Sequence, residues 1–241
     1  MSALLTQGGD QLCLPFKHAA YLSPDDVRQR FDHLVLKQSA LAQSELCDLQ
    51  ARLLGPSGTL AKFSRLVARE GRHAAGLSFP IEAQDCRHRA LAEQSADFVL
   101  SLYRRRKAVD NPFKTLSRNV LRCVVFDNAA PYILAERFAA VEALRDHDSR
   151  YFANLIATTR HTVERRLVFI GLLEHFDSLL PMEQSIYPRD YRSAQQFHLS
   201  REEALYGRLE LDKPMSELLE LHTPEWLLEN VCPLGAKGIL A

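Results

Sequence analysis

The sequence predicts an all-α fold, a multi-helix bundle of about eight helices with a C-terminal helical extension. Three observations carry that prediction. Apolar residues recur at three- and four-residue spacing through most of the chain, the period of a helix with one buried face. Capping residues precede these runs, often with Pro behind them, and Gly or Pro follows them. Strand signals are nearly absent: there is no Asn-Gly or Asp-Gly pair and no alternating β-branched run.

The elements follow in chain order. Residues 1–22 read as an irregular N-terminal segment, where QLCLPF (11–16) resembles a short strand that Pro15 weakens. Ser23 caps the first helix, Pro24 suits its first position, and Asp25 and Asp26 favour the positive end of its dipole. Val27, Phe31, Leu34, Leu41, Leu49 and Leu53 carry the apolar face to Gly55 and Pro56. Thr59 caps a shorter helix through Leu60, Phe63, Leu66 and Val67, which Gly71 ends; residues 71–80 read as a linker. A long helix is expected over 82–108. Asn111 and Pro112 mark the next start, and the helix beyond carries Leu116, Val120, Leu121, Val124 and Val125. Another begins at Pro131 and ends in a polar break at 146–149. Ser149 then caps a central buried helix over 150–180, closed by Pro181.

Residues 181–198 read as a long surface segment, with Tyr187, Pro188, Tyr191 and Phe197 as a contact strip. Ser200 with Glu203 has the spacing of a capping box, and Ser216 and Thr223-Pro224 open two short last helices. The expected organisation is therefore 1–22 irregular, 23–180 main bundle and 181–241 C-terminal extension.

Composition bounds the class. Apolar residues make up 46% and charged residues 25%, the balance of an ordinary globular protein. Ten glycines exclude a collagen-like chain, and zero net charge with normal apolar content excludes a disordered one. The longest uncharged apolar run covers only 167–173, so no membrane-spanning helix is expected. No basic residue precedes the first apolar run, which argues against a secretory leader. Cys13, Cys47, Cys86, Cys123 and Cys232 are odd in number and widely spaced, and no C-x-x-C occurs. That pattern fits free thiols in a reducing cytoplasm rather than disulfides or a zinc site.

Charge is neutral overall but not locally. Residues 1–100 are balanced, residues 101–170 carry net +6 and residues 171–241 carry net −6. The basic middle holds Arg104, Arg105, Arg106 and Lys107 in a run, then Lys114, Arg118 and Arg122 at four-residue spacing, which a helix would stack on one face. Arginine grips phosphate and carboxylate alike, so these seven residues are the expected nucleic-acid contact. The competing reading is internal, with the acidic segment folding back on the basic one. Residues 116–122 (LSRNVLR) resemble a recognition helix, and 199–203 (LSREE) is a more acidic second candidate.

Catalytic patterns are sparse. H-E-x-x-H, G-x-S-x-G, P-loop and G-x-G-x-x-G motifs do not occur. Asp85 with His88 and His161 with Glu164 each place a carboxylate and an imidazole three residues apart, and Glu136 or Glu142 would have to complete a metal site. Cys123 sits in an apolar run and reads as core, and His175, Asp177 and Ser178 point in different directions from one helix. No catalytic residue, metal ligand or cofactor is assigned. Leu218, Leu219, Trp226 and Leu227 form an apolar group in an acidic frame, the expected contact for a protein partner. The expectation is a non-enzymatic cytoplasmic regulatory or adaptor protein that binds nucleic acid through its arginines. The alternatives are a protein–protein adaptor using the acidic C-terminus, itself able to form homo-oligomers, and a helical-bundle metalloenzyme.

Overall fold

The structure is a computed structural model and describes residues 24–77, 86–103, 107–129, 132–158 and 165–231. Among these residues all regular structure is helical, as the periodicity predicts. The helices are α1 (Pro24–Ser39), α2 (Gln43–Leu54), α3 (Thr59–Glu70), α4 (Cys86–Tyr103), α5 (Arg118–Phe126) and α6 (Leu134–Ala157). The C-terminal part holds α7 (Arg165–Ser178), the single turn α8 (Pro181–Gln184), α9 (Tyr191–Tyr206), α10 (Met215–Leu221) and α11 (Pro224–Asn230). The stretch 11–16 lies outside the described residues.

Helix α6 is the spine. Its N-terminal half presents Ala135, Phe138, Ala139, Ala140 and Ala143 to a first core built with α1 to α5. Alanines there let α4 and α5 come close, and Phe63 meets Phe138 edge-on with ring centroids 6.0 Å apart. Its C-terminal half carries Tyr151, Phe152 and Leu155 into a second core with Leu167 of α7 and the buried faces of α10 and α11. Leu180 and Met182 belong to the first core. The two clusters of apolar packing therefore share α6.

Several boundaries differ from expectation, each for a local reason. The run 23–54 is two helices, because Glu45 Oε2 accepts the Ala42 N–H (2.8 Å) and opens α2 afresh. Asn111 does not start a helix. Its Oδ1 accepts from Phe113 N (2.9 Å) and its Nδ2 donates to the Ala139 carbonyl (2.7 Å), so the pair makes an Asx turn pinned to α6. The polar residues 146–149 do not break α6, because Asp146 pairs with Arg150 one turn on (3.0 Å) and Asp148 pairs with Arg118. Pro181 opens α8 rather than only closing what precedes it; a proline at a first helical position loses no helical hydrogen bond. Residues 191–206 form α9, so Ser200 and Glu203 are mid-helix and make no capping box. Helix α10 starts at Met215, whose N–H donates to Glu174 Oε2 of α7 (2.6 Å). Thr223 caps α11 as expected, accepting from Trp226 N (3.3 Å).

One glycine fixes the distance between spine and neighbour. A Cβ on Gly171 of α7 would lie 2.6 Å from Leu155 Cδ1 and 3.0 Å from the Tyr151 hydroxyl, so a larger residue at this crossing must displace the buried Leu155 side chain. The Gly171 carbonyl also accepts the Tyr151 hydroxyl (2.8 Å).

Candidate binding surface and buried charged seam

The residues expected to bind nucleic acid separate into three groups. Arg104, Arg105 and Arg106 lie outside the described residues. Lys107 and Lys114 are exposed. Arg122 is buried, which takes it off a phosphate-binding face, and Arg118 is half-buried beside Asp148. Helix α5 begins only at Arg118, so Lys114 does not share its face. Residues 121–126 are all buried, which removes α5 as a recognition helix. The second candidate, 199–203, is interior to α9 and not at a helix start.

Arg122 is 1% exposed. Its Nε lies 2.8 Å from Glu183 Oε2 and its Nη1 donates to the Ser178 carbonyl (2.8 Å). Arg122 thus ties α5 to α8 and to the end of α7. Burial still pushes the Glu183 carboxyl above its usual range, with Arg122 pulling the other way. Beside it Arg118 pairs with Asp148 of α6 and sits 6.0 Å over the Tyr151 ring. The Tyr151 ring stacks on His175, centroids 5.6 Å apart, and Phe152 meets the same imidazole edge-on at 4.7 Å. Burial, helped by Arg118 and Arg122, holds the His175 pKa down at about 4. This imidazole is neutral at physiological pH. The seam lies between the two apolar cores, and its charges are matched one to one.

A second buried pair lies in the first core. His88 Nε2 of α4 is 3.1 Å from Glu136 Oε1 of α6, and Glu136 Oε2 accepts the Ile133 N–H (2.8 Å). Burial pushes the Glu136 carboxyl up to about 7, with the backbone amide and Arg137 opposing. The spacing of Asp85 and His88 hinted at a role for this histidine, and its partner is Glu136. Asp85, His161 and Glu164 lie outside the described residues. Among the described residues no three His, Cys, Asp or Glu side chains gather as a metal site would require. Cys123 is buried, and its thiol is pushed up to about 11 by burial first and Asp127 second, the behaviour of a core residue.

The expected partner-binding group also divides. Leu218, Leu219 and Leu227 are buried in the second core, so they hold α10 and α11 on the spine and do not face a partner. Trp226 alone of the four is outside, 40% exposed. It stacks on His222 with centroids 3.6 Å apart and planes 12° apart. Glu220 and Leu221 of α10 and Glu225 and Glu229 of α11 are exposed as well. None of those three glutamates makes an ion pair among the described residues. On α9, Phe197 and Leu205 are 65% and 66% exposed and two turns apart on one face. Tyr187 and Tyr191 of the expected strip instead pack on Phe176 at 5.4 and 5.2 Å.

Comparison with protein-family models, with curated proteins and with solved structures gives no match, so the functional reading rests on these residues. Among the described residues no helix is long and apolar enough to cross a membrane.

Proposed function

We propose that the protein is an adaptor that binds a protein partner through the outer face of α10 and α11. One observation carries the reading: the lone tryptophan stands half-exposed on a histidine, on two helices whose exposed Glu220, Glu225 and Glu229 make no ion pair among the described residues. A flat aromatic surface gives large contact area at little entropic cost, and an unneutralised acidic rim selects a partner of opposite sign. The partner segment would be basic and amphipathic, with an apolar side chain on Trp226 and Lys or Arg facing Glu220, Glu225 and Glu229. Matched pairs inside the chain offset part of the charge asymmetry, since Arg122–Glu183 and Arg165–Glu202 both join the basic middle to the acidic C-terminal part. The rim glutamates are outside that exchange.

Trp226 also makes the test direct, because all tryptophan emission comes from the proposed surface. The protein and a triple variant (Glu220→Lys, Glu225→Lys, Glu229→Lys) are used to capture partners from the native host, and each captured protein is purified and titrated. A true partner shifts Trp226 emission saturably, loses affinity as salt rises and is lost by the triple variant. A partner that binds the variant equally, with no change in emission, overturns the assignment. Salt-dependent binding to nucleic acid that fails on changing Lys107 and Lys114 to Glu would move the contact to the basic middle instead.

A further inference from the structure

A shallow cavity of about 200 Å³ opens where α2, α3 and α8 meet the end of α5. Its wall is apolar, formed by Leu49 and Leu53 of α2, Phe126 of α5 and Met182 of α8. Its polar lining residues, Arg52, Thr59 and Asn128, are all exposed and form its rim. We propose that this cavity binds a small organic monocarboxylate, with its hydrocarbon body against the apolar wall and its carboxylate held by Arg52 and Asn128.

The rim chemistry sets the sign of the ligand. Among the described residues the Arg52 side chain makes one hydrogen bond, from Nε to the Asp48 carbonyl one turn back (3.2 Å). Its two terminal nitrogens have no partner among the described residues. Asn128 Oδ1 accepts from Arg137 Nη1 (3.2 Å), which fixes the amide orientation and leaves Nδ2 as a donor. Thr59 donates its hydroxyl to the Arg52 carbonyl (3.2 Å) and is left as an acceptor only. The nearest carboxylate on the α5 side, Asp127, accepts the Ala129 N–H (2.9 Å) and lies 3.6 Å from Arg30, so it does not compete for the rim. A guanidinium and an amide N–H₂ are the donors a carboxylate needs, and one positive charge matches one negative charge.

The volume sets the size. An apolar cavity of about 150 Å³ holds benzene, so this one takes a body of six or so carbons with a carboxylate at its mouth. Hexanoate and benzoate are suitable probes. The wall residues Phe126 and Met182 are buried members of the first core, so the cavity is shaped by packing and not by a loose loop. The site lies on other elements than the Trp226 surface and stands or falls independently of it.

The experiment is a titration of the full-length protein with hexanoate, hexanol and hexylamine, followed by methyl NMR. Hexanoate is expected to bind saturably, with shifts at Leu49, Leu53 and Met182. Hexanol is expected to bind about ten-fold more weakly and hexylamine more weakly still. Arg52→Gln, a change at an exposed helix position, should reduce hexanoate affinity to that of hexanol and leave hexanol unchanged, which shows the cavity intact. Asn128→Asp keeps the acceptor for Arg137 and replaces the donor by a repelling oxygen, so it should weaken hexanoate as well. No saturation by about 10 mM hexanoate overturns the proposal. So does equal binding of hexanoate and hexylamine, or an Arg52→Gln variant that binds hexanoate as the wild type does.

Discussion

Changing Arg122 to Met tests whether the inward arginine is structural. The guanidinium is 1% exposed and has two partners, Glu183 at 2.8 Å and the Ser178 carbonyl at 2.8 Å. Methionine keeps the hydrocarbon stem and removes the charge. The Glu183 carboxylate, whose side chain is 17% exposed, is then left with the Leu180 N–H as its remaining partner (2.8 Å). Breaking a buried pair from one side costs about 3–5 kcal/mol, because the surviving charge stays desolvated. For a chain of this size each kcal/mol is worth roughly 2–4 °C, so the melting temperature should fall by roughly 6–20 °C. The assay is urea unfolding followed by circular dichroism, for the single variants and for Arg122→Met with Glu183→Gln. The double variant should be more stable than Arg122→Met alone, since neutral glutamine no longer needs a cation. The pH dependence has a definite sign. Glu183 already sits above its ordinary value, and losing Arg122 raises it further. A group whose folded value lies above its unfolded one stabilises as pH falls, so the deficit of Arg122→Met should shrink from about pH 7 to about pH 5. A loss below about 1 kcal/mol, the scale of an exposed pair, would refute the buried-clasp reasoning.

Three further expectations concern other sites. Glu136, held up at about 7 by burial, favours the folded state fully below its unfolded value near 4.5 and loses that contribution as pH rises through 7. The unfolding free energy from urea titration should therefore fall from pH 5 to pH 8 by on the order of 3 kcal/mol more for the wild type than for Glu136→Gln, and parallel profiles would contradict the burial. Gly171→Ala should destabilise by about 1–3 kcal/mol despite the better helix propensity of alanine, because its Cβ meets Leu155 at 2.6 Å; a stabilised variant in thermal unfolding would show that α6 and α7 can part. Trp226 emission should be quenched more strongly by caesium than by iodide, since Glu220, Glu225 and Glu229 gather cations around it, and the difference should vanish at high salt.

Helical content was legible because it depends on local periodicity: α3 stops at Gly71 and α11 starts behind Thr223, as the sequence places them. Which face of a helix is buried was less legible, because that depends on what arrives from elsewhere in the chain. Arg118 and Arg122 carry the same charge pattern as a phosphate-binding face, yet Asp148 and Glu183, 30 and 61 residues later, engage them, the first half-buried and the second buried. A signal was present: Arg122 stands in the run VLRCVVF, and a cation flanked on both sides by core residues must find a buried partner. Leu218, Leu219 and Leu227 show the converse. Their spacing marks an apolar face, but only the docking of α10 and α11 on α6 and α7 shows that the face is consumed internally and that Trp226 is not. The rim of the carboxylate cavity left no sequence signal, since its lining comes from four elements far apart in the chain.

The two apolar cores share helix α6 and should therefore unfold as one cooperative unit. Residues of α6 from Ala135 to Leu144 belong to the first core and Leu155 to the second, with no break in the helix between them. The seam at Arg118, Asp148 and Arg122 adds matched charges across the junction. Opening one core therefore frays the helix on which the other is built, and unpairs charges that stay partly buried. Leu91 of α4 is 2% exposed in the first core, so Leu91→Ala should cost about 2–5 kcal/mol. Trp226 lies on α11, which packs in the second core. If the spine couples the cores, the Trp226 emission transition in urea moves with the circular-dichroism transition when Leu91 is changed. A Trp226 transition that stays at its wild-type midpoint while the helical signal shifts would mean that the cores unfold separately, and that α6 is a linker rather than a spine. The outcome also bears on the binding surface: a coupled second core holds the outer face of α10 and α11 rigid, so a partner meets a pre-organised aromatic platform and pays no ordering cost on docking.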